Sequence, residues 1–149
     1  MTRLDASAMH GLLAHRYPFL LVDRVDVVAL GQRVVGTKQV TAGEWWCVGA
    51  DPARSDSLAM PFSLVIEALA QTSGALVRDL LDGSAGSIAY FVGAQRVRIR
   101  GAARPGDALS LELTLRQWRR GICRTRGVAR VGPRVILTAD LTTVVQPGR

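Results

Sequence analysis

The stretch from Ala59 to Leu81 limits what this chain can fold into more than any other. Pro61 stands where a first helical turn tolerates a missing N–H, and no proline follows it in the run. Ser57 or Ser63 is placed to serve near the cap. The segment is apolar around most of its circumference, which predicts a helix wrapped by protein on nearly all sides. Its polar exceptions are ordered. Glu67, Gln71 and Arg78 fall at i, i+4 and i+11, with Gly74 at i+7, so they form one stripe along one face. Gly74 costs helix stability and predicts the close approach of another backbone. Glu67 is the costliest member, because a carboxylate buried as a bare charge is strongly unfavourable. Such a group is kept where it pairs with something or does chemistry.

The rest of the chain reads mostly as strand. Residues 5–14 form a short N-terminal helix or turn, with Asp5 or Ser7 as its cap. Phe19 to Leu30 is rich in Val and Leu and ends at the turn signal Gly31-Gln32; Gln32 to Thr41 completes a hairpin with it. Residues 42–58, with Gly43, Gly49, Pro52, Ser55, Asp56 and Ser57, predict an irregular loop. Beyond a turn at Asp82-Gly83-Ser84, Ser87–Val92 leads into Gln95–Arg100, and Pro105-Gly106-Asp107 turns the chain again. Ala108–Trp118 sets Leu109, Leu111, Leu113 and Leu115 against Ser110, Glu112, Thr114 and Arg116, a period of two. Arg119-Arg120-Gly121 turns into Ile122–Val131, and Gly132-Pro133 into Arg134–Val145. The order β-β-α-β-β-β-β predicts an α+β fold over residues 1–149 as a single domain: one long buried helix against a strongly curved antiparallel sheet.

Composition narrows the chemistry. Cys47 and Cys123 lie far apart with no CxxC, so two reduced core thiols are expected and no zinc or other metal site. The N-terminus mixes charges and leads into no apolar core of a signal peptide, and no apolar run is long enough to cross a bilayer, so the expected address is the cytoplasm. The net charge of +7 is nearly all arginine, Lys38 being the sole lysine. No helix-turn-helix, RNP-type strand or zinc finger accompanies it, and aromatics at 5% are too few for base stacking, so nucleic acid is not expected. The charge leaves two readings, an acidic macromolecular partner met by electrostatic steering or an arginine bias without partner meaning.

At several places the residues resemble a known family. His15-Arg16-Tyr17-Pro18-Phe19-Leu20-Leu21-Val22-Asp23-Arg24-Val25 is similar to the opening motif of the hot-dog-fold (3R)-hydroxyacyl-acyl-carrier-protein dehydratases of type II fatty acid synthesis. The likeness continues in order through Met60-Pro61, Glu67-Ala68-Leu69-Ala70-Gln71, Tyr90-Phe91-Val92-Gly93, Arg104-Pro105-Gly106-Asp107 and Arg119-Arg120-Gly121. It implies a sheet wrapped around the central helix, two subunits joined edge to edge, and active sites at their interface. It also implies a His–Glu pair, with Glu67 as the helix acid and a loop His from the other subunit. The substrate it implies is an acyl thioester on the phosphopantetheine of an acyl carrier protein, with no further cofactor expected. Gly49, Ala50, Met60, Pro61, Phe62, Gln71 and Phe91 are the expected substrate-binding positions. Arg96, Arg98 and Arg100, on one strand face by alternation, are expected with Arg104 to dock the acidic carrier protein; Arg119 and Arg120 extend that patch.

The sequence departs from the family where chemistry is done. Glu44-Trp45-Trp46-Cys47-Val48-Gly49 matches the family's Glu-Pro-Phe-Phe-Gln-Gly, and Ala50 then falls where the His belongs. The stretch from Asp51 to Ala59 is longer than its counterpart, and Phe62 replaces a Gly. The chain's only histidines, His10 and His15, are distant from Glu67 in sequence. Four readings follow. The chain is half of a heterodimer whose His-bearing homologue completes the site. Or a homodimer, alone or in a higher oligomer, uses Glu67 for altered thioester chemistry, hydrolysis or double-bond isomerisation. Or the chain is a non-catalytic partner subunit. Or Asp51 or Asp56 replaces the His, since two carboxylates with separated pKa values can share acid/base work. Among these, 3-hydroxyacyl dehydration in a fatty-acid or polyketide-like setting is the first choice.

Single residues carry plainer readings too. Glu67 is set against a structural pairing with Arg78 or a backbone donor. His15 is read as an orienting hydrogen bond at the strand entrance, His10 as a surface residue. Trp45 and Trp46 are read as packing at a loop or dimer contact, with a wall of an acyl tunnel as the alternative. Cys47 is read as packing, for want of a nearby base.

Overall fold

The computed structural model describes residues 2–51, 53–54, 56–81 and 87–146. Seven antiparallel strands make one sheet: β1 (Thr2–Leu4), β2 (Arg24–Ala29), β3 (Arg33–Gln39), β4 (Ile88–Ile99), β5 (Ala108–Arg119), β6 (Ile122–Val131) and β7 (Arg134–Gln146). Their order across the sheet is β1-β2-β3-β5-β6-β7-β4. A short helix α1 (Ala6–Leu12) precedes the sheet, and α2 (Phe62–Leu80) touches all strands from β2 to β7. This is the hot-dog architecture expected from the sequence, with α2 as the helix inside a curved sheet.

The core is built from both periodicities. On α2, Leu64, Val65, Ala68, Leu69, Ala75, Leu76 and Val77 are buried. On β5, Leu109, Leu111 and Leu113 face them, fully buried, until a register shift between Leu115 and Gln117 ends the alternation. Each such leucine contributes about 2 kcal/mol of apolar burial. The helix lies so close to β3 that a Cβ at Gly36 would sit 2.4 Å from Thr72 Oγ1, so only glycine fits there. The β5–β6 hairpin turns on Arg120 and Gly121, both at positive φ, as a two-residue turn matched to strand twist requires.

Several boundaries differ from expectation. The strand expected from Phe19 begins only at Arg24, because the backbone before it bonds elsewhere: Phe19 and Leu20 N–H donate to Arg16 O, and Leu21 N–H to a side chain of α2. The helix begins at Phe62, not Ala59, with Pro61 at its cap and no side-chain cap. Ser57 is not near that cap; its hydroxyl donates to Asp51 O and Arg54 O. Asp5, one of two expected caps of α1, does accept from Ala8 N–H at 2.9 Å. The strand β1, paired with β2, was not expected. The loop after β3 contains a 3-10 turn at Trp45–Cys47. Pro52, Ser55 and the Asp82-Gly83-Ser84 turn lie outside the described residues. Among the described residues, no helix is long and apolar enough to cross a membrane.

Candidate active site

Glu67 projects from the middle of α2, its side chain mostly but not wholly sheltered. The next residue along its stripe, Gln71, fixes it. Gln71 Nε2 donates to Glu67 Oε1 at 2.9 Å and to Phe19 O at 2.7 Å, while its Oε1 accepts from Leu21 N–H at 2.9 Å. One buried amide therefore ties the helix carboxylate to the segment that crosses from α1 to β2. Arg78, expected with a backbone donor as the structural partner of Glu67, pairs instead with its neighbour Asp79 at 2.7 Å.

The same crossing segment delivers a second titratable group. His15 Nε2 lies 3.3 Å from Glu67 Oε1. The expected orienting role at a strand entrance does not describe this placement: β2 starts nine positions later, and the ring stands against α2 instead. Arg16 holds the local turn by donating from one nitrogen to Leu13 O and His15 O, both at 2.7 Å. Gly74 makes room for this segment, but for a side chain rather than a backbone: a Cβ there would meet Leu13 Cδ2 at 3.1 Å.

Glu67, His15 and Gln71 open onto a cleft of about 230 Å³. Its walls are one face of α2, the Leu13–His15 segment, Ala89, Tyr90 and Phe91 of β4, and Thr143 of β7. Of the expected site residues, Glu67, Gln71 and Phe91 are brought together on this cleft. Gly49, Ala50, Pro61 and Phe62 are not among the described residues lining this cleft, and Met60 is packed into the core. Asp51 and Asp56 are exposed on the loop, where Asp51 accepts from Ala53 N–H and Asp56 faces Arg54 at 3.5 Å. Sequence reasoning missed Leu13, His15 and Tyr90 as lining residues. Its one available signal was that His15 and Tyr90 both sit inside the family-like motifs.

The loop that holds Ala50 is fastened to β3 and to itself. Lys38 Nζ, largely buried on β3, meets Glu44 Oε1 at 2.5 Å. The Cys47 thiol points to Thr41 O and Leu58 O, and burial followed by the Glu44 charge raises its pKa, which fits packing rather than nucleophilic attack. Burial pushes the Cys123 thiol to about 11. Trp45 and Trp46 pack edge to face with ring centroids 5.8 Å apart. Among the described residues, no three His, Cys, Asp or Glu side chains gather as ligands for a metal ion.

The arginines divide. Arg96 is at positive φ, at a bulge where Gln95 pairs with Asp140 and Arg98 with Thr138. The extra residue breaks the simple alternation expected for Arg96, Arg98 and Arg100, and Arg96 is drawn into an ion pair with Asp140. Arg126 joins the same carboxylate at 2.9 Å. Burial alone would raise the Asp140 pKa; hydrogen bonds and charge from Arg126 and Arg96 outweigh it and hold the carboxyl below its ordinary range. Arg98, Arg100 and Arg104 are exposed. Arg119, Arg120 and Arg124 line a separate hollow of about 220 Å³ beside the β5–β6 turn.

A wrapped sheet, a central helix and a helix carboxylate facing a cleft at the sheet edge define a hot-dog protein. Residues 13–140 match the FabA-like domain, and the chain belongs to that family. It is 40% identical over 134 residues to the 3-hydroxyacyl-acyl-carrier-protein dehydratase FabZ of Caldanaerobacter subterraneus subsp. tengcongensis, covering 90% of this chain and 92% of that one. It is 43% identical over 138 residues to the protein of the same name from Roseiflexus sp. (strain RS-1), covering 93% and 94%. In structure it resembles the dehydratase heterocomplex ApeI:P from Xenorhabdus doucetiae, with a TM-score of 0.75 at 21% identity over 95% of this chain and 91% of that one. A hypothetical thioesterase from Streptococcus pneumoniae TIGR4 shares the fold at a TM-score of 0.66 and 14% identity, covering 96% and 98%.

Proposed function

We propose that this protein dehydrates a 3-hydroxyacyl thioester carried on an acyl carrier protein, with Glu67 as an acid/base group. The observation that carries the reading is the placement of the Glu67 carboxylate. It is positioned by Gln71 and faces a cleft, in a chain whose relatives are named for this reaction. Dehydration removes a weakly acidic proton from C2 and expels hydroxide from C3, so a base and an acid must act on neighbouring carbons. Gln71 and His15 both meet Oε1 of Glu67, and Oε2 is the oxygen offered to the substrate hydroxyl.

Assembly follows from the edge strand. β4 closes one side of the sheet, and Ile88, Tyr90, Phe91, Val92 and Ile99 along it are exposed, Val92 at 63%. An apolar edge of this length invites a second β4 to continue the sheet. Since Tyr90 and Phe91 also wall the cleft, that partner stands beside the site. Arg98 and Arg100, with charge from Arg104, provide the carrier-protein docking surface.

A second reading is supported by Ala50, which stands where the family loop carries His. In it a His-bearing homologue pairs with β4 and supplies that side chain. The test is purified protein with a 3-hydroxyacyl carrier-protein thioester, followed by mass spectrometry. Loss of water is the expected result. Release of the free acid would make the protein a thioesterase, and a shifted double bond from an enoyl substrate an isomerase. No turnover without a partner subunit would select the heterodimer, and none with it a non-catalytic subunit.

A further inference from the structure

Resting on the dehydratase reading, we infer that His15 takes the place of the absent loop histidine, so that one chain supplies both members of the acid/base pair. Laid on the loop motif of the family it resembles, this chain has Ala50 where that motif carries His, and the loop is fastened by Lys38–Glu44 and by its own turns. Meanwhile a different histidine lies 3.3 Å from Glu67, and both side chains line one cleft. The pair is not an incidental surface contact. His15 sits in a turn held by two Arg16 hydrogen bonds, and Glu67 is held by a glutamine that also grips the backbone on either side of Leu20. The His15 side chain remains 41% exposed, so a substrate can reach the ring.

The step balances on these two groups. With the imidazole neutral and the carboxyl protonated, Nε2 of His15 takes the C2 proton. The C2–H electron pair forms the C2=C3 bond as the C3–O bond breaks. The leaving hydroxyl takes the Glu67 proton and departs as water, giving the 2-enoyl thioester. The imidazolium then passes its proton to the water just formed, which gives one up to Oε2 of the carboxylate, and the starting state is restored. The imidazole is thus the base and the carboxyl the acid, with no histidine needed from a second subunit.

The test uses the full chain purified free of any other dehydratase, with 3-hydroxyacyl carrier protein as substrate. Wild type is expected to release water unaided. His15→Ala should lower kcat by about 10²–10⁴-fold, the range for loss of a general base, with KM little changed and the thermal midpoint unmoved. Added imidazole should restore turnover to His15→Ala but not to Glu67→Gln. A full-rate His15→Ala beside a dead Glu67→Gln would overturn the pairing and leave the dehydratase reading intact. So would a wild type that works only with a His-bearing homologue. A His15→Ala loss that follows a lowered thermal midpoint and ignores imidazole would make His15 structural, again overturning the pairing. No dehydration under any of these conditions would remove both.

Discussion

Two irregular segments of this chain differ in where they spend their polar groups. Residues 13–23 carry several of them outward: Phe19 O and Leu21 N–H bind Gln71 of α2, and the Asp23 carboxylate accepts from Gln39 N–H of β3 at 2.6 Å. Residues 41–61 use them within the loop, through Ser57 on Asp51 and Arg54 and the Cys47 thiol between Thr41 and Leu58, and on β3, through Glu44 on Lys38. A segment bonded to a helix side chain holds its own side chains in register with that helix. A segment bonded mainly to itself and to a strand sets its side chains independently of that helix.

The sharpest way to break this contrast is at the carboxylate itself. Glu67→Gln should cost about 10²–10⁴-fold in kcat while the thermal midpoint holds, read by mass spectrometry of the carrier-protein adduct. Unchanged turnover would mean that the helix-bonded segment serves structure alone. Next in size is the loop anchor. Lys38→Met leaves the Glu44 charge largely buried without its partner and should cost about 3 kcal/mol of stability, read from urea midpoints. Lys38→Met with Glu44→Leu should recover much of that loss. Turnover per folded molecule should stay near wild type in both; a collapse would show that the loop also serves the site.

Gln71→Leu bears on the first segment. It leaves Leu21 N–H and Phe19 O without their partner and should cost about 2 kcal/mol, and turnover should fall with it because Glu67 loses its guide. The smallest effect is expected at a place that touches neither segment. Asp140 has a folded pKa lowered by Arg126 and Arg96, so its stabilising contribution is present above the unfolded value, about 3.9, and fades as pH falls through the folded value. Asp140→Asn should therefore be less stable than wild type at neutral pH by about 1 kcal/mol, and the gap should close in acid. A gap that persisted in acid would assign the effect to packing instead.

The fold was readable because its signals are local. The apolar girth of α2, the period of two in β5 and the glycine turns each lie within a few residues of one another, and each predicted its element. The boundaries that moved did so for non-local reasons. The start of β2 is decided by Gln71, some fifty positions away, and the Arg96 bulge by Asp140 on another strand. The site was half readable. Glu67 and Gln71 stand four apart on one helix, so their meeting follows from helical geometry. His15 reaches Glu67 only through the path of the crossing segment, which no spacing encodes. The alternation that placed three arginines on one face failed because a bulge is a property of the pair of strands, not of either sequence alone.

The strand that walls the cleft is also the open margin of the sheet. If β4 joins a second copy, assembly and catalysis are coupled: dilution bares the outer edge of the strand that walls the cleft, and association covers it again. Turnover per molecule would then rise with the concentration of the protein itself.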